Sequence, residues 1–236
     1  MLCENKTSDI TINCNSENLY INGYDLNTGS TSMEADPGET DEDSIMIYFP
    51  KLEEYNITSV DEISFRLCIY DDDNLYDYDN YMCYDMMYLY PTGLTQESFT
   101  VPSRITTEEE QVVFDNEYGT LVYLGGDFSE NGADSIYYHL DFCIENPTDY
   151  SIQYNFMEVY VDDQMVSIES KDVEGGRKSY YSIFVSKDEY EEAIKDGKIN
   201  NIELKMRLGK SHDHVWAGGI VGSDLVLFEE TFKITL

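Results

Sequence analysis

Asn201-Ile202-Glu203-Leu204-Lys205-Met206-Arg207-Leu208 alternates apolar and polar side chains without a break. Successive side chains of a β-strand point to opposite faces, so this stretch reads as a strand with one buried and one wet face. The same period of two runs through Tyr138, Leu140, Phe142 and Ile144, which alternate with His139, Asp141, Cys143 and Glu145. It runs again through Ile63, Phe65, Leu67 and Ile69. β-Branched and aromatic residues dominate these runs, as a half-buried pleated surface prefers. Turn clusters such as Gly125-Gly126-Asp127, Glu174-Gly175-Gly176 and Gly218-Gly219 separate them. The expected fold class is all-β.

The strands fall into an ordered pair of series. Glu4-Asn5-Lys6-Thr7 returns as Glu145-Asn146-Pro147-Thr148, and Leu19-Tyr20-Ile21-Asn22-Gly23 as Val159-Tyr160-Val161-Asp162-Asp163. Ile45 to Phe49 matches Tyr181 to Val185, and Asp61 to Leu67 matches Asn200 to Met206. Tyr84 to Tyr90 then resembles Asp224 to Glu230. Five blocks in one order, at near-constant offset, read as two copies of one module: residues 1–106 and residues 107–236. Ile63, Phe65 and Leu67 are expected to hold the core positions of Ile202, Leu204 and Met206. The segment from Gly93 to Glu110, with Pro102, reads as the linker.

One short helix is expected in the second copy. Ser186 followed by Glu189 forms a capping box, Tyr190, Ala193 and Ile194 share a helical face, and Gly197 supplies the C-terminal cap. The matching stretch, Pro50 to Tyr55, is long enough for a helical turn. Seven or more short strands and a lateral helix in a module of this size point to a β-sandwich.

The copies differ at their starts. Val112 to Phe114, Leu121 to Leu124 and Ile136 to Ile144 precede Glu145-Asn146, whereas only Met1-Leu2-Cys3 precede Glu4-Asn5. The first module is therefore expected to lack its N-terminal strands, as in a fragment whose parent would hold any signal or anchor upstream. Met1 to Tyr20 is polar and has no apolar stretch of the signal-peptide kind.

Charge limits the partners. Lys and Arg number 14 against 48 Asp and Glu, a formal charge of −34. Each copy carries −17, from 4 basic and 21 acidic residues in the first and 10 and 27 in the second. Nucleic acid and anionic lipid share that sign and are poor partners. Aromatics at 14%, with 21 Tyr, argue against an acidic disordered chain. No apolar run approaches the ~20 residues of a membrane helix.

The strand that ends in Glu-Asn-x-Thr, followed by an apolar strand with a Tyr-Ile-Asn-Gly turn, resembles a bacterial group of immunoglobulin-like domains. These belong to Gram-positive surface lipoproteins and related secreted antigens of the immunoprotective extracellular type. On this resemblance Asn5, Thr7, Asn22 and Gly23 hold the motif positions in the first copy, and Asn146, Thr148, Asp162 and Asp163 in the second. The second copy departs from the pattern at Asp162-Asp163. The resemblance implies two tandem immunoglobulin-like β-sandwich modules outside the membrane. It also implies an adhesion or scaffold role with no shared catalytic residues.

Asp71, Asp72, Asp73, Asn74, Asp77, Asp79 and Asn80 crowd one loop, and Ca²⁺ takes six to eight oxygen ligands. The loop lacks the EF-hand order of alternate ligands, central Gly and terminal Glu, so it reads first as a solvated acidic face. His212-Asp213-His214 sets two imidazoles on one strand face, with Asp213, Asp224 and Glu229 as the further ligands in a metal reading. The preferred reading is a polar hairpin tip beside Trp216. Tyr76, Tyr78, Tyr81, Tyr84, Tyr88 and Tyr90 divide between sheet packing, which is favoured, and a binding face.

The sequons Asn5-Lys6-Thr7 and Asn56-Ile57-Thr58 read as coincidental. Cys3, Cys14, Cys68, Cys83 and Cys143 match no zinc or redox spacing, and their odd number leaves at least one thiol. Most read as packed thiols, with a Cys3–Cys14 bridge between neighbouring strands left open. There is no Gly-x-Ser-x-Gly elbow, phosphate loop or His-Glu-x-x-His.

The expected function is non-catalytic: an extracellular or cell-surface module for adhesion, spacing or recognition of a protein or glycan partner. No cofactor, metal or catalytic residue is assigned. The alternative is a small-ligand or calcium-binding surface protein that uses the acidic loop.

Overall fold

Ile202, Leu204, Met206 and Leu208 are all fully buried in the computed structural model, and Glu203, Lys205 and Arg207 between them reach solvent. The alternation therefore sets the face of the strand it runs through. The structure describes residues 1–25, 31–45, 52, 57–71, 82–104, 106–108, 110–130, 136–186, 199–211 and 226–236. The chain divides into two compact units, Met1–Ser103 and Arg104–Leu236. Both are built of strands.

The second unit is sandwich-like. One sheet comprises β9 (Gln111–Asn116), β10 (Gly119–Glu130), β11 (Ile136–Glu145) and β14 (Lys178–Ser186), in that spatial order. The other runs β13 (Gln164–Val173), β12 (Ile152–Val161), β15 (Asn201–Lys210), β16 (Val226–Thr235). Every pairing within these sheets is antiparallel. Leu121, Leu140, Phe142 and Ile183 from the first sheet share one core with Tyr154, Phe156, Leu204 and Met206 from the second. Each fully buried Leu, Ile or Phe contributes about 1.5–3 kcal/mol relative to an exposed position, which makes this core the main support of the unit.

The first unit is thinner. Its strands are β1 (Leu2–Glu4), β2 (Ile12–Ile21), β3 (Tyr24–Asp25), β4 (Ser32–Ala35), β5 (Thr40–Glu42), β6 (Ile63–Asp71), β7 (Met82–Cys83) and β8 (Met87–Leu89). β2 is central, with β6 along one edge and β4 along the other. β1 and β5 form a two-stranded sheet. Cys3, Cys14, Met33 and Ala35 make the inner cluster, against which Ile12, Leu67 and Ile69 pack.

The expected core alternation holds only in part on β6. Phe65 is buried, but Ile63 and Leu67 are half-exposed, while Ser64 and Cys68 on the opposite face are fully buried. A small apolar cluster on one side and cover on both sides replace the one-sided burial that period two predicts.

Two buried asparagines tie strand ends together. Asn5 Nδ2 donates to the carbonyls of Ile10 and Ala35, both at 2.8 Å, and its Oδ1 accepts from the N–H and hydroxyl of Thr7. Asn146 Nδ2 donates to Tyr150 and Val173, again both at 2.8 Å, and its Oδ1 accepts from the N–H and hydroxyl of Thr148. The backbone follows suit: Asn5 N–H donates to Glu39 O, and Asn146 N–H to Arg177 O. The residues carrying the Asn-x-Thr motif thus act as chain fasteners, which explains their spacing.

One alignment is corrected. Met87–Leu89 lie opposite Phe65–Ile63, and Phe232–Ile234 lie opposite Leu204–Ile202. Register therefore matches Met87–Leu89 to Phe232–Ile234 and not to the stretch ending at Glu230. The expected linker is also not loose throughout, because Arg104 is buried in ion pairs to Glu110 and Glu145. The helix expected after Ser186, the block from Ile45 to Phe49 beyond Ile45, and Pro50 to Tyr55 apart from Leu52 lie outside the described residues.

Candidate recognition edge

β6 offers its second edge to two short strands. Cys68 and Ile69 lie opposite Cys83 and Met82, while Ile63, Ser64 and Phe65 lie opposite Leu89, Tyr88 and Met87. Between them the Tyr84 N–H donates to Leu67 O at 2.9 Å, so the chain from 82 to 89 stays against β6. Directly opposed cysteines on antiparallel strands are close enough to pair. Cys68 and Cys83 form a disulfide, at a sequence separation of 15. It pins the start of this border to the body of the sheet.

The border carries Met82, Tyr84, Met87, Tyr88 and Leu89, all between 36% and 56% exposed. Single exposed apolar residues are ordinary, but five within eight positions crowd one edge of the sheet, with Met87 and Leu89 on one face and Tyr88 on the other. Tyr and Met are enriched where proteins meet, because they give large contact area or adapt to irregular shapes. Among the described residues β7 and β8 pair with β6 alone, so their outer side ends the sheet. Such borders are usually blunted by charge. Here Asp85 is the one charged residue within the stretch from Met82 to Leu89. Past the strip, Tyr90 packs on Phe99 with ring centroids 6.0 Å apart, and Gly93, at φ 83, donates its N–H to Tyr90 O in a tight turn. The strip can bury itself against a complementary surface; its side chains supply no nucleophile–base pair.

Asp71 ends β6 opposite Ile12, and Asp72 to Asn80 lie outside the described residues. So do His212, Asp213, His214 and Asp224, while Glu229 forms an ion pair with Arg207 at 2.8 Å. Tyr76, Tyr78 and Tyr81 also lie outside. Tyr84 and Tyr88 lie on the border, 46% and 36% exposed. Met82, Met87 and Leu89 were missed as site residues, because apolar residues in a strand read as core.

Asn5 is nearly inaccessible and its amide is committed to two carbonyls, so the folded chain offers no glycan acceptor there. Asn56 lies outside the described residues. Among the described residues, Glu17, Cys68 and Cys83 bring metal-capable atoms together. Both sulfurs are spent in the disulfide, which leaves no thiolate to ligate an ion. Cys143 is fully buried, and burial pushes its thiol up to about 12 despite the nearby Arg104 guanidinium. A thiol so placed is inert.

No helix among the described residues is long and apolar enough to cross a membrane. No protein-family model matches the chain, and no curated protein matches it.

Proposed function

We propose that this chain is a non-catalytic recognition protein of the extracellular space or cell surface, made of two immunoglobulin-like modules. Its partner is a protein that docks on the 82–89 border of the first module. The exposed Met82-to-Leu89 strip carries this reading, since a soluble surface retains so dense an apolar edge where something covers it. Met and Leu among the exposed groups favour a protein over a glycan, whose hydroxyls need polar partners beside each stacked ring.

Two further observations support the reading. The Cys68–Cys83 disulfide suits an oxidising compartment, where such bonds persist. The matched bonds of Asn5 with Thr7 and of Asn146 with Thr148 support descent of both units from one module.

The test is site-specific photo-crosslinking on cells that make the protein. A photoreactive residue replaces Met87 in one sample and the exposed Val112 of the second unit in another. A discrete crosslinked protein from position 87 only, on protein exported with Cys68 and Cys83 protected from alkylation, supports the proposal. Equal crosslinking from both positions removes the border from it. Protein retained inside the cell with both cysteines alkylatable removes the extracellular assignment.

A further inference from the structure

The odd cysteine count leaves three thiols after Cys68 and Cys83 pair: Cys3, Cys14 and Cys143. Cys143 belongs to the second unit, Cys3 and Cys14 to the first. Cys3 is the middle residue of β1, opposite Asp41 on β5. Cys14 lies on β2, opposite Met33 on one side and Ile69 on the other. The two residues thus belong to different sheets of the first unit, and their side chains meet inside it with Met33 and Ala35.

The second unit fixes what kind of position this is. There Glu145 precedes Asn146 as Glu4 precedes Asn5, and the residue before it, Ile144, is fully buried in the core between the two sheets. Tyr154, which stands as far before Asp162 as Cys14 before Asn22, shares that core and is fully buried as well. Where the second unit joins its sheets by bulky apolar packing, the first brings two small sulfur groups together.

We propose that Cys3 and Cys14 are a second disulfide site, which joins the β1–β5 sheet to the β2 sheet when the chain meets a protein or small-molecule disulfide. The thiolate of one cysteine attacks the donor disulfide and expels one donor thiol. The other cysteine then attacks the mixed disulfide and releases the second donor thiol. Two electrons and two protons pass to the donor, and one sulfur–sulfur bond forms in the protein. Burial pushes the Cys14 thiol up to about 11, with Cys3 adding to the effect, so thiolate is scarce at neutral pH in the folded state. The bond therefore forms as the chain folds and, once enclosed, resists reduction. The gain is mechanical: three-residue β1 is tied across the core as well as to β5. Inside the cell's life cycle this step relies on the oxidising location proposed above; the chemistry itself does not.

The test uses purified whole protein, unfolded and refolded in a mixture of oxidised and reduced glutathione, then alkylated under denaturing conditions and digested with trypsin. Lys6 separates Cys3 from Cys14, whereas no basic residue lies between Cys68 and Cys83. Cys3–Cys14 therefore appears as two linked peptides, two hydrogens lighter than their sum. The expected result is that link, with Cys143 as the single alkylated residue. A higher melting temperature than that of protein refolded with dithiothreitol should accompany it, beyond the shift that remains in a Cys3→Ser, Cys14→Ser double variant. Alkylation of both Cys3 and Cys14 after oxidative refolding overturns the proposal, as does pairing of either with Cys143. Should the link form in vitro while the protein stays inside cells, the extracellular reading falls and this site stands.

Discussion

Asn22 and Asp162 share one backbone state and one task. Their φ angles are 51° and 45°, in the left-handed region. Asn22 Oδ1 accepts the N–H groups of Asp61 and Glu62 at 2.8 and 3.0 Å, and Asp162 Oδ1 accepts those of Asn200 and Asn201 at 3.1 and 2.8 Å. Both side chains thus bind the segment that leads into the neighbouring strand, β6 beside β2 and β15 beside β12, while the backbone turns tightly beneath them. An amide oxygen serves as well as a carboxylate here. Asp162→Asn is expected to change stability by under about 0.5 kcal/mol, and Asp162→Ala to cost about 0.5–1.5 kcal/mol, since the two N–H groups it releases are exposed and pass to water. Urea unfolding midpoints of the three proteins check this.

The next residue separates the two turns. Gly23 has φ 81° and Asp163 φ 73°, a region that costs a side chain with a Cβ roughly 1 kcal/mol. Asp163→Gly is therefore expected to stabilise the chain by roughly 0.5–1 kcal/mol. Gly23→Ala has the opposite sign, because the new Cβ would lie 2.5 Å from Val101 Cγ2 as well as at positive φ. Equal effects of opposite design, read as midpoint shifts in one assay, would sink the conformational argument if both came out destabilising.

Asn5 and Asn146 invite a direct comparison. Each donates two bonds to buried carbonyls and accepts two from a threonine. Ala at either position leaves carbonyls without donors, at about 2–3 kcal/mol. Asp at either position is expected to be worse, since its oxygens face the carbonyls they must replace a donor for. Thermal melts of both variant pairs test the order; an Asp variant more stable than its Ala counterpart would contradict it.

Much of this was open to a reader of the sequence, and the limits have physical causes. Ile202, Leu204, Met206 and Leu208 declared their face because charged neighbours alternate with them. The Asn-x-Thr pattern marked two strand ends because only that side-chain set closes those bonds. β6 misled, because Ser64 and Cys68 are covered on the face that period two assigns to water. The Cys68–Cys83 pair depends on two strands being in register, which no spacing rule encodes. The border from Met82 to Leu89 stayed hidden for a related reason. An apolar residue on a strand reads as core until the edge of the sheet is known.

The Cys68–Cys83 bond closes a loop of separation 15, for which chain entropy in the unfolded state is worth about 3 kcal/mol. A Cys68→Ala, Cys83→Ala variant is expected to lose roughly 2–4 kcal/mol by urea unfolding. To isolate this bond, the comparison is made in a Cys3→Ser, Cys14→Ser background. There a reductant should lower the midpoint of the parent and leave the fourfold variant unmoved. A reductant effect of equal size in both would assign the stabilisation elsewhere.

The last prediction concerns pH and the pair that joins β12 to β15. Glu158 and Lys205 lie opposite each other, with Lys205 Nζ donating to Glu158 Oε1 at 2.9 Å and the Tyr160 hydroxyl donating to Oε2 at 2.8 Å. The hydrogen bond from Lys205, then that from Tyr160, hold the Glu158 carboxyl below its ordinary value. The same bond raises Lys205 above its own. A depressed carboxyl contributes stability that is present above its unfolded value and is lost as pH falls through the folded one. A raised ammonium contributes stability present below its unfolded value and lost as pH rises through the folded one. The pair is therefore intact across the neutral range and fails at both extremes. Against Glu158→Gln, the wild-type advantage should be level around pH 7 and vanish on the acid side, below the ordinary Glu value of about 4.3. Both side chains reach solvent, so added salt should shrink the advantage at neutral pH. Urea midpoints measured across that range for both proteins decide the matter. A wild-type advantage that survives unchanged at acid pH would place its source outside this ion pair.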